Sequence, residues 1–171
     1  MHGTVLIVED EENDAFFLRD ALKRAGIHNP IQVVEDGRLA LDYLSGVGKF
    51  ADRTLYPLPS VIFLDLKLPQ VNGLAILKWI REEAGLPSIL VVVLTASRLD
   101  EDIERAYRLG ANSYVVKPSS RESSWRSSRI SGIGGSNTTN RLLAGSIFPW
   151  PQRKKEDADP YPKVARLSIR C

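Results

Sequence analysis

Polar and charged side chains stand at the carboxyl ends of four apolar runs in the sequence. The first run is followed by the pair Glu9-Asp10, and the other three end in or are followed by Asp65, Thr95 and Lys117. Because parallel strands end at one edge of a sheet, and α/β proteins form their sites there, four such strands would bring these side chains together. Each residue alone also fits a turn, a cap or a surface position. Their occurrence at four successive strand ends favours a site.

The residue types are those of magnesium and phosphate chemistry. Three clustered carboxylates repel one another unless a cation lies among them, and hard oxygen ligands favour Mg²⁺. Lys117 offers a point charge and Thr95 a hydroxyl to phosphoryl oxygens. Phosphoryl transfer needs little more than such positioning and charge stabilisation. The sequence therefore predicts that Asp65 accepts a phosphoryl group beside Lys117 and Thr95.

The elements that would position these residues alternate between strand and helix patterns, which is typical of a parallel sheet covered by helices. The predicted strands are residues 4–8, 31–34, 60–65, 89–94 and 114–117, and the predicted helices are residues 11–25, 38–44, 74–84 and 98–109. The first helix is expected to bury one apolar face, made of Phe16, Phe17, Ala21, Leu22 and Ala25.

The bulk composition is that of a globular protein, with 43% hydrophobic and 26% charged residues. A chain of 171 residues accommodates one well-packed domain and a tail. The one cysteine, Cys171, excludes a disulfide framework within the chain, which fits a reducing compartment. The pattern of a signal peptide is missing, and no apolar run reaches the ~20 residues of a membrane helix. We therefore expect a cytoplasmic protein without a membrane partner.

Four motifs resemble those of the receiver domain of two-component response regulators. They are Val8-Glu9-Asp10, Leu64-Asp65-Leu66-Lys67-Leu68-Pro69, Leu94-Thr95-Ala96 and Val116-Lys117-Pro118. The resemblance covers nearly all of residues 1–118. It implies a flavodoxin-like α/β fold, with a doubly wound, five-stranded parallel sheet in the order 2-1-3-4-5. It also implies a phosphoacceptor signalling domain that assists its own phosphorylation and dephosphorylation, and not an enzyme in the usual sense.

The resemblance also implies a set of metal ligands. Glu9, Asp10 and Asp65 would hold Mg²⁺, helped by the backbone carbonyl of Lys67. The Lys67 side chain stands two residues after the acceptor, where it would influence the access of water to an acyl phosphate.

Two conformational features follow from the same resemblance. Lys117 and Pro118 would be joined by a cis peptide bond, which proline makes tolerable. Tyr114 matches an aromatic switch that turns inward when Thr95 follows the phosphoryl group. Tyr114 is equally well interpreted as an ordinary aromatic residue of a strand.

A finer resemblance is to the small stand-alone regulators paired with phytochrome-type histidine kinases. The stretches that carry it are residues 11–18, 42–44, 56–59 and 110–114, together with the long loop before the third strand. The resemblance implies a histidine kinase, of the phytochrome type, as the source of the phosphoryl group. A homodimer is a further possible assembly, and altered protein contacts would be the output.

The composition changes near Pro118. Residues 1–118 hold 13 Lys and Arg against 17 Asp and Glu, a net charge of −4, whereas residues 119–171 hold 10 against 4, a net charge of +6. The second segment is rich in Ser, Arg, Gly and Pro and has no sustained helical period where a receiver has its fifth helix. We predict a receiver domain over residues 1–118 and a poorly ordered basic tail over residues 119–171.

The tail is either a natural linker or the product of a changed reading frame. Codons for residues 124–131, read from their third base, permit the amphipathic string Val-Glu-Val-Val-Lys-Asp-Leu-Gly, which would suit the missing helix. The nucleotide sequence of the gene decides between the two. An early stop in the shifted frame would exclude the frame change.

Three other functions fit parts of the sequence. The first is an interaction module with the receiver fold that never carries phosphate. The second is a DNA-binding regulator that uses the basic tail, although the chain shows no helix-turn-helix pattern and we do not expect nucleic acid as a partner. The third is a phosphate-ester hydrolase, which is disfavoured because Lys67 stands where a second aspartate would be needed.

Overall fold

The computed structural model describes residues 3–86, 88–96 and 100–117. Strands and helices alternate along the chain as β1 (Thr4–Val8), α1 (Glu12–Arg24), β2 (Ile31–Val34), α2 (Gly37–Ser45), a short 3-10 helix (Gly48–Phe50), β3 (Pro59–Asp65), α3 (Gly73–Glu82), β4 (Leu90–Thr95), α4 (Asp100–Arg108) and β5 (Ser113–Val116). The five strands form a single sheet in the order β2-β1-β3-β4-β5, and all neighbouring strands are parallel. The predicted fold class and strand order are confirmed.

The sheet is covered on both faces, which explains why its central strands are apolar on both sides. Alternate residues of each strand face opposite clusters. Leu6, Ile62 and Val91 belong to the larger cluster, with α2, α3 and α4, whereas Ile7 and Leu94 belong to the smaller one, with α1. The two clusters fix the strand register, because a slip by one residue would exchange the two faces.

The buried face of helix α1 overlaps the predicted one only in part. Its buried residues are Ala15, Leu18, Ala21 and Leu22. Ala21 and Leu22 were predicted correctly, but Phe16 is 52% exposed, so its predicted place in the core was wrong. Positions 15, 18 and 22 lie on one face at helical spacing, and Phe16 lies about 100° around the helix from Ala15.

Helix α3 begins directly behind the end of β3. Asn72 caps it by accepting a hydrogen bond from Ala75 N at 2.9 Å. A Cβ atom on Gly73 would overlap the carbonyl oxygen of Asp65, so glycine is what allows this close approach. Gly73 N in turn donates to Leu66 O at 3.1 Å. The start of α3 therefore sets the position of Asp65.

The loop between α2 and β3 is held by a single guanidinium group. Arg53 donates to the carbonyl oxygens of Tyr43 and Leu44 at 2.7 Å each, and to that of Tyr56 at 3.2 Å. Tyr43 and Leu44 lie at the carboxyl end of α2, where carbonyl groups lack partners from a following helical turn, and Tyr43 O also accepts from Gly46 N at 3.2 Å. The hydroxyl of Tyr43, which is fully buried, donates to Pro57 O at 2.9 Å. The loop is thus tied to α2 at several points.

Three predictions fall outside the described residues. They are the cis bond to Pro118, the missing fifth helix and the basic tail of residues 119–171, and they stay predictions. Within the described ranges, no helix is long and apolar enough to cross a membrane.

Candidate functional site

The four predicted strand ends meet at the carboxyl edge of the sheet. Glu9 follows β1, Asp65 ends β3, Thr95 ends β4, and Lys117 follows β5. A backbone hydrogen bond joins the ends of β4 and β5, because Lys117 N donates to Thr95 O at 2.7 Å. In the sheet register, Asp65 pairs with Leu94, one residue before Thr95. The structure therefore brings together side chains that lie more than a hundred residues apart in the sequence.

Three carboxylates form a compact group at this edge. Oxygen atoms of Glu9, Asp10 and Asp65 all lie within 4.8 Å of one another. Glu9 is 1% exposed and Asp65 4% exposed, whereas Asp10 is exposed to solvent. The group therefore has a buried floor and an open side. A set of hard oxygen ligands with this accessibility fits Mg²⁺.

The ammonium of Lys117 lies among the carboxylates. Its Nζ is 2.6 Å from Glu9 Oε2, 2.6 Å from Asp65 Oδ2 and 3.3 Å from Asp14 Oδ2. Glu9 Oε2 is buried and, apart from this ion pair, has no well-directed hydrogen bond from the described residues. A buried oxygen satisfied only by a nearby charge is suited to binding a cation.

Burial and neighbouring charges shift the pKa values of Glu9 and Lys117. Burial raises the pKa of the Glu9 carboxyl to about 7, and the nearby Lys117 only partly offsets this effect. Burial by itself lowers the pKa of Lys117, but hydrogen bonds and attraction to Asp65 and Glu9 outweigh it, so this pKa is raised. Lys117 therefore carries its charge at neutral pH and supplies the positive charge of the site.

The backbone after β3 orients the Asp65 carboxylate. Lys67 N donates to Asp65 Oδ1 at 3.0 Å, while Oδ2 faces Lys117. The Lys67 side chain is exposed. The two oxygens of Asp65 thus have different partners. The proposed contribution of the Lys67 carbonyl to a metal site stays a prediction.

Thr95 and Tyr114 occupy neighbouring strands behind the acceptor. Thr95 is 2% exposed and Tyr114 5% exposed. The ring of Tyr114 points inward and meets Tyr107 of α4 edge to face, with centroids 6.0 Å apart. This inward position fits an aromatic switch and an ordinary core residue alike, so the role of Tyr114 as a switch stays a prediction.

Asp14, in the first turn of α1, has no role in the site predicted from the sequence. The N-cap residue of this helix is Glu11, whose side chain makes no capping hydrogen bond. Asp14 reaches Lys117 instead. This contact depends on how α1 packs beside β5, which the local sequence pattern does not show.

Residues 5–124 match the family of response regulator receiver domains. The chain belongs to this family. Among curated relatives, the probable methanogenesis regulatory protein FilR2 of Methanothrix harundinacea is 40% identical over 121 residues, which cover 69% of this chain and 74% of FilR2. The response regulator Rcp1 of Synechocystis is 34% identical over 113 residues, which cover 66% of this chain and 75% of Rcp1.

Solved structures of phytochrome response regulators are also similar to this receiver domain. The bacteriophytochrome response regulator RtBRR is 47% identical with a TM-score of 0.63, and the match covers 69% of this chain and 70% of RtBRR. The phosphorylated cyanobacterial phytochrome response regulator RcpA is 31% identical with a TM-score of 0.66, over 74% and 88% of the two chains. The Mn(2+)-bound form of Rcp1 is 31% identical with a TM-score of 0.65, over 72% and 87%. The domain is therefore related to the phytochrome response regulators.

Proposed function

We propose that this receiver domain accepts a phosphoryl group on Asp65 from a phosphohistidine of a histidine kinase, in a reaction that depends on Mg²⁺. The observation that carries the proposal is the placement of Lys117 Nζ 2.6 Å from Asp65 Oδ2, beside a group of three carboxylates. A nucleophilic carboxylate, a fixed cation and oxygen ligands for a metal are the parts that phosphoryl transfer requires.

The transfer exchanges one bond to phosphorus for another. An oxygen of the Asp65 carboxylate attacks the phosphorus atom, and a P–O bond forms while the P–N bond to the donor imidazole breaks. The electron pair of the broken bond stays on the imidazole nitrogen, which takes up a proton. The product is a mixed anhydride, an acyl phosphate, on Asp65.

The surrounding side chains would stabilise the charge of the transferred group. Lys117 donates to a phosphoryl oxygen, and the hydroxyl of Thr95 donates to another once the group has arrived. Glu9, Asp10 and Asp65 would hold Mg²⁺, which when bound neutralises negative charge on the phosphoryl oxygens. Because Asp65 is almost completely buried, these interactions act in a medium of low polarity and are stronger than in water.

The relatives support both the reaction and the partner. One similar structure is of a phosphorylated phytochrome response regulator, and another is of a Mn(2+)-bound form. The similarity to RtBRR supports a kinase of the phytochrome type as the phosphoryl donor. We further propose that phosphorylation changes which proteins the domain binds. The cytoplasmic location, the homodimer and any role of the basic tail stay predictions.

The proposal is tested with Mg²⁺ and a small phosphodonor, acetyl phosphate. We expect the intact protein to gain the mass of one phosphoryl group, and the gain to be lost on standing because an acyl phosphate hydrolyses. Chelation of the metal or the substitution Asp65→Asn should abolish it. A stable gain, a gain in the Asp65→Asn variant, or no gain at all would contradict the proposal, and the last result would favour an interaction module.

A further inference from the structure

Lys117 has three acidic partners among the described residues, and one of them stands apart from the other two. Glu9 and Asp65 belong to the three-carboxylate group that fits a metal ion. Asp14 does not, although its Oδ2 lies 3.3 Å from Lys117 Nζ. Asp14 is therefore the partner that Lys117 can keep when a cation binds to the others.

We propose that Asp14 is a positioning residue, which holds the Lys117 ammonium in place while Mg²⁺ and a phosphoryl group occupy the oxygens of Glu9 and Asp65. This inference rests on the proposed transfer to Asp65. In this role, a residue in the first turn of α1 supports the reaction at Asp65, which ends β3.

The number of donors on the ammonium agrees with this role. A lysine ammonium has three N–H donors, and Lys117 has three acidic oxygens around it. A cation bound to Glu9 and Asp65 would offset their negative charge. It would therefore weaken their electrostatic attraction to Lys117. The Asp14 carboxylate would keep one donor engaged and leave the others for phosphoryl oxygens.

The location of Asp14 suits an anchor. It lies in the regular part of α1, whose face packs on the sheet, so its backbone is fixed relative to β5. Its side chain is 27% exposed, whereas that of Glu9 is 1% exposed. The Asp14 carboxylate is therefore better solvated than the Glu9 carboxylate.

Loss of Asp14 would make the lysine and the metal compete. Without it, the acidic partners of Lys117 among the described residues are Glu9 and Asp65, the same carboxylates that the cation needs. The ammonium would then hold these oxygens more persistently. We expect weaker Mg²⁺ binding and slower transfer, because Lys117 would have to leave the carboxylates before it could contact the phosphoryl group.

The chain offers a matched control in the same helical turn. Glu12 carries the same charge two residues before Asp14 in the first turn of α1, and its side chain is exposed. The substitution Glu12→Gln removes one negative charge near the site, and Glu12 is not one of the three ion-pair partners of Lys117. It separates a general effect of charge from the specific contact.

The experiment is a double-mutant cycle on Asp14 and Lys117 with Mg²⁺ affinity measured by calorimetry. We expect Asp14→Asn to weaken Mg²⁺ binding about three- to tenfold more than Glu12→Gln does, which lies in the lower part of the range for coupling between contacting residues. In a Lys117→Ala background the difference between the two substitutions should vanish, because Asp14 acts through the lysine. If thermal unfolding shows that Asp14→Asn is not folded, Asp14→Ser replaces it. Lys117→Met replaces Lys117→Ala in the same case.

Phosphorylation at saturating Mg²⁺ gives a second readout. Asp14→Asn should slow the gain of phosphate from acetyl phosphate, and Glu12→Gln should not. Equal effects of the two substitutions, or an undiminished Asp14→Asn effect on Mg²⁺ binding without Lys117, would overturn the role of Asp14. If the wild-type protein gains no phosphate but the Mg²⁺ cycle shows coupling, the phosphoacceptor proposal fails while the positioning contact stands.

Discussion

The ammonium of Lys117 lies 2.6 Å from a carboxylate oxygen of Glu9 and 2.6 Å from one of Asp65. The three side chains come from the ends of three different strands, and all are nearly buried. One positive charge thus compensates two negative charges that would otherwise repel each other in a medium of low polarity. The same lysine therefore contributes to the stability of the metal-free domain and to the proposed chemistry.

The first prediction concerns this dual role. Lys117→Ala should lower the free energy of unfolding of the metal-free protein by about 3 kcal/mol, because it leaves buried carboxylates without a partner. Urea unfolding with and without Mg²⁺ measures this change. Added Mg²⁺ should stabilise the variant more than it stabilises the wild-type protein, because the lysine no longer competes for the oxygens.

Lys78→Ala is the matched control, since Lys78 is an exposed lysine on α3. Its effect should stay within about 0.5 kcal/mol. A Lys117→Ala protein as stable as this control would show that the ion pairs contribute nothing measurable.

The second prediction concerns the glycine behind the acceptor. Gly73→Ala would place a methyl group against the Asp65 carbonyl, so α3 or the end of β3 must move. We expect a loss of about 2 kcal/mol in the free energy of unfolding and slower phosphate uptake by Asp65. The exposed Ala75, in the same helical turn, gives the control Ala75→Ser, which should change neither. Unchanged phosphate uptake in Gly73→Ala would mean that α3 does not position the acceptor.

The third prediction concerns the loop before β3. Arg53→Ala should lower the free energy of unfolding by about 2 kcal/mol, because the donors to three backbone carbonyls are lost. Arg53→Lys should recover only part of this loss, since an ammonium lacks the planar fork of a guanidinium. Thermal unfolding compares both with Arg38→Ala, which removes an arginine side chain that is 67% exposed. A fully stable Arg53→Lys would show that charge alone holds the loop.

The fourth prediction distinguishes the two faces of α1. Leu18→Ala should destabilise the domain by about 2–5 kcal/mol because Leu18 is 4% exposed. Phe16→Ala should lower the free energy of unfolding by less than about 1 kcal/mol, since Phe16 is half exposed and its ring meets Phe17 and Arg19 of the same helix. Denaturant unfolding of the two variants measures the difference. A larger loss for Phe16→Ala would place this ring in the core after all.

The strands were predictable because their residues obey a simple rule. Central parallel strands are buried on both faces, so they appear in the sequence as short apolar runs, and the bounds of β1 and β2 agree with the prediction. The meeting of the candidate site residues could be predicted from the strands, because polar residues at the carboxyl ends of parallel strands lie at one edge of the sheet. Glu9, Asp65 and Lys117 were found in this way.

The helix face and the third partner of Lys117 were harder to predict. Phe16 and Phe17 are adjacent and apolar, and the sequence does not show which of them faces the sheet when a small residue such as Ala15 makes the close contact. Asp14 has the composition of a helix start, and only the geometry between α1 and β5 shows that its carboxylate reaches the lysine. Contacts between elements depend on packing angles that a local pattern does not contain.

The loop between α2 and β3 lies at the far end of the sheet from the acidic edge, since it enters β3 at Pro59 and the strand ends at Asp65. The full length of a central strand thus separates this loop from the reactive edge of the domain. A fluorescent label attached near the exposed Leu55 should therefore leave phosphate uptake by Asp65 unchanged. The domain can in this way be labelled or tethered at one end of the sheet while its chemistry proceeds at the other.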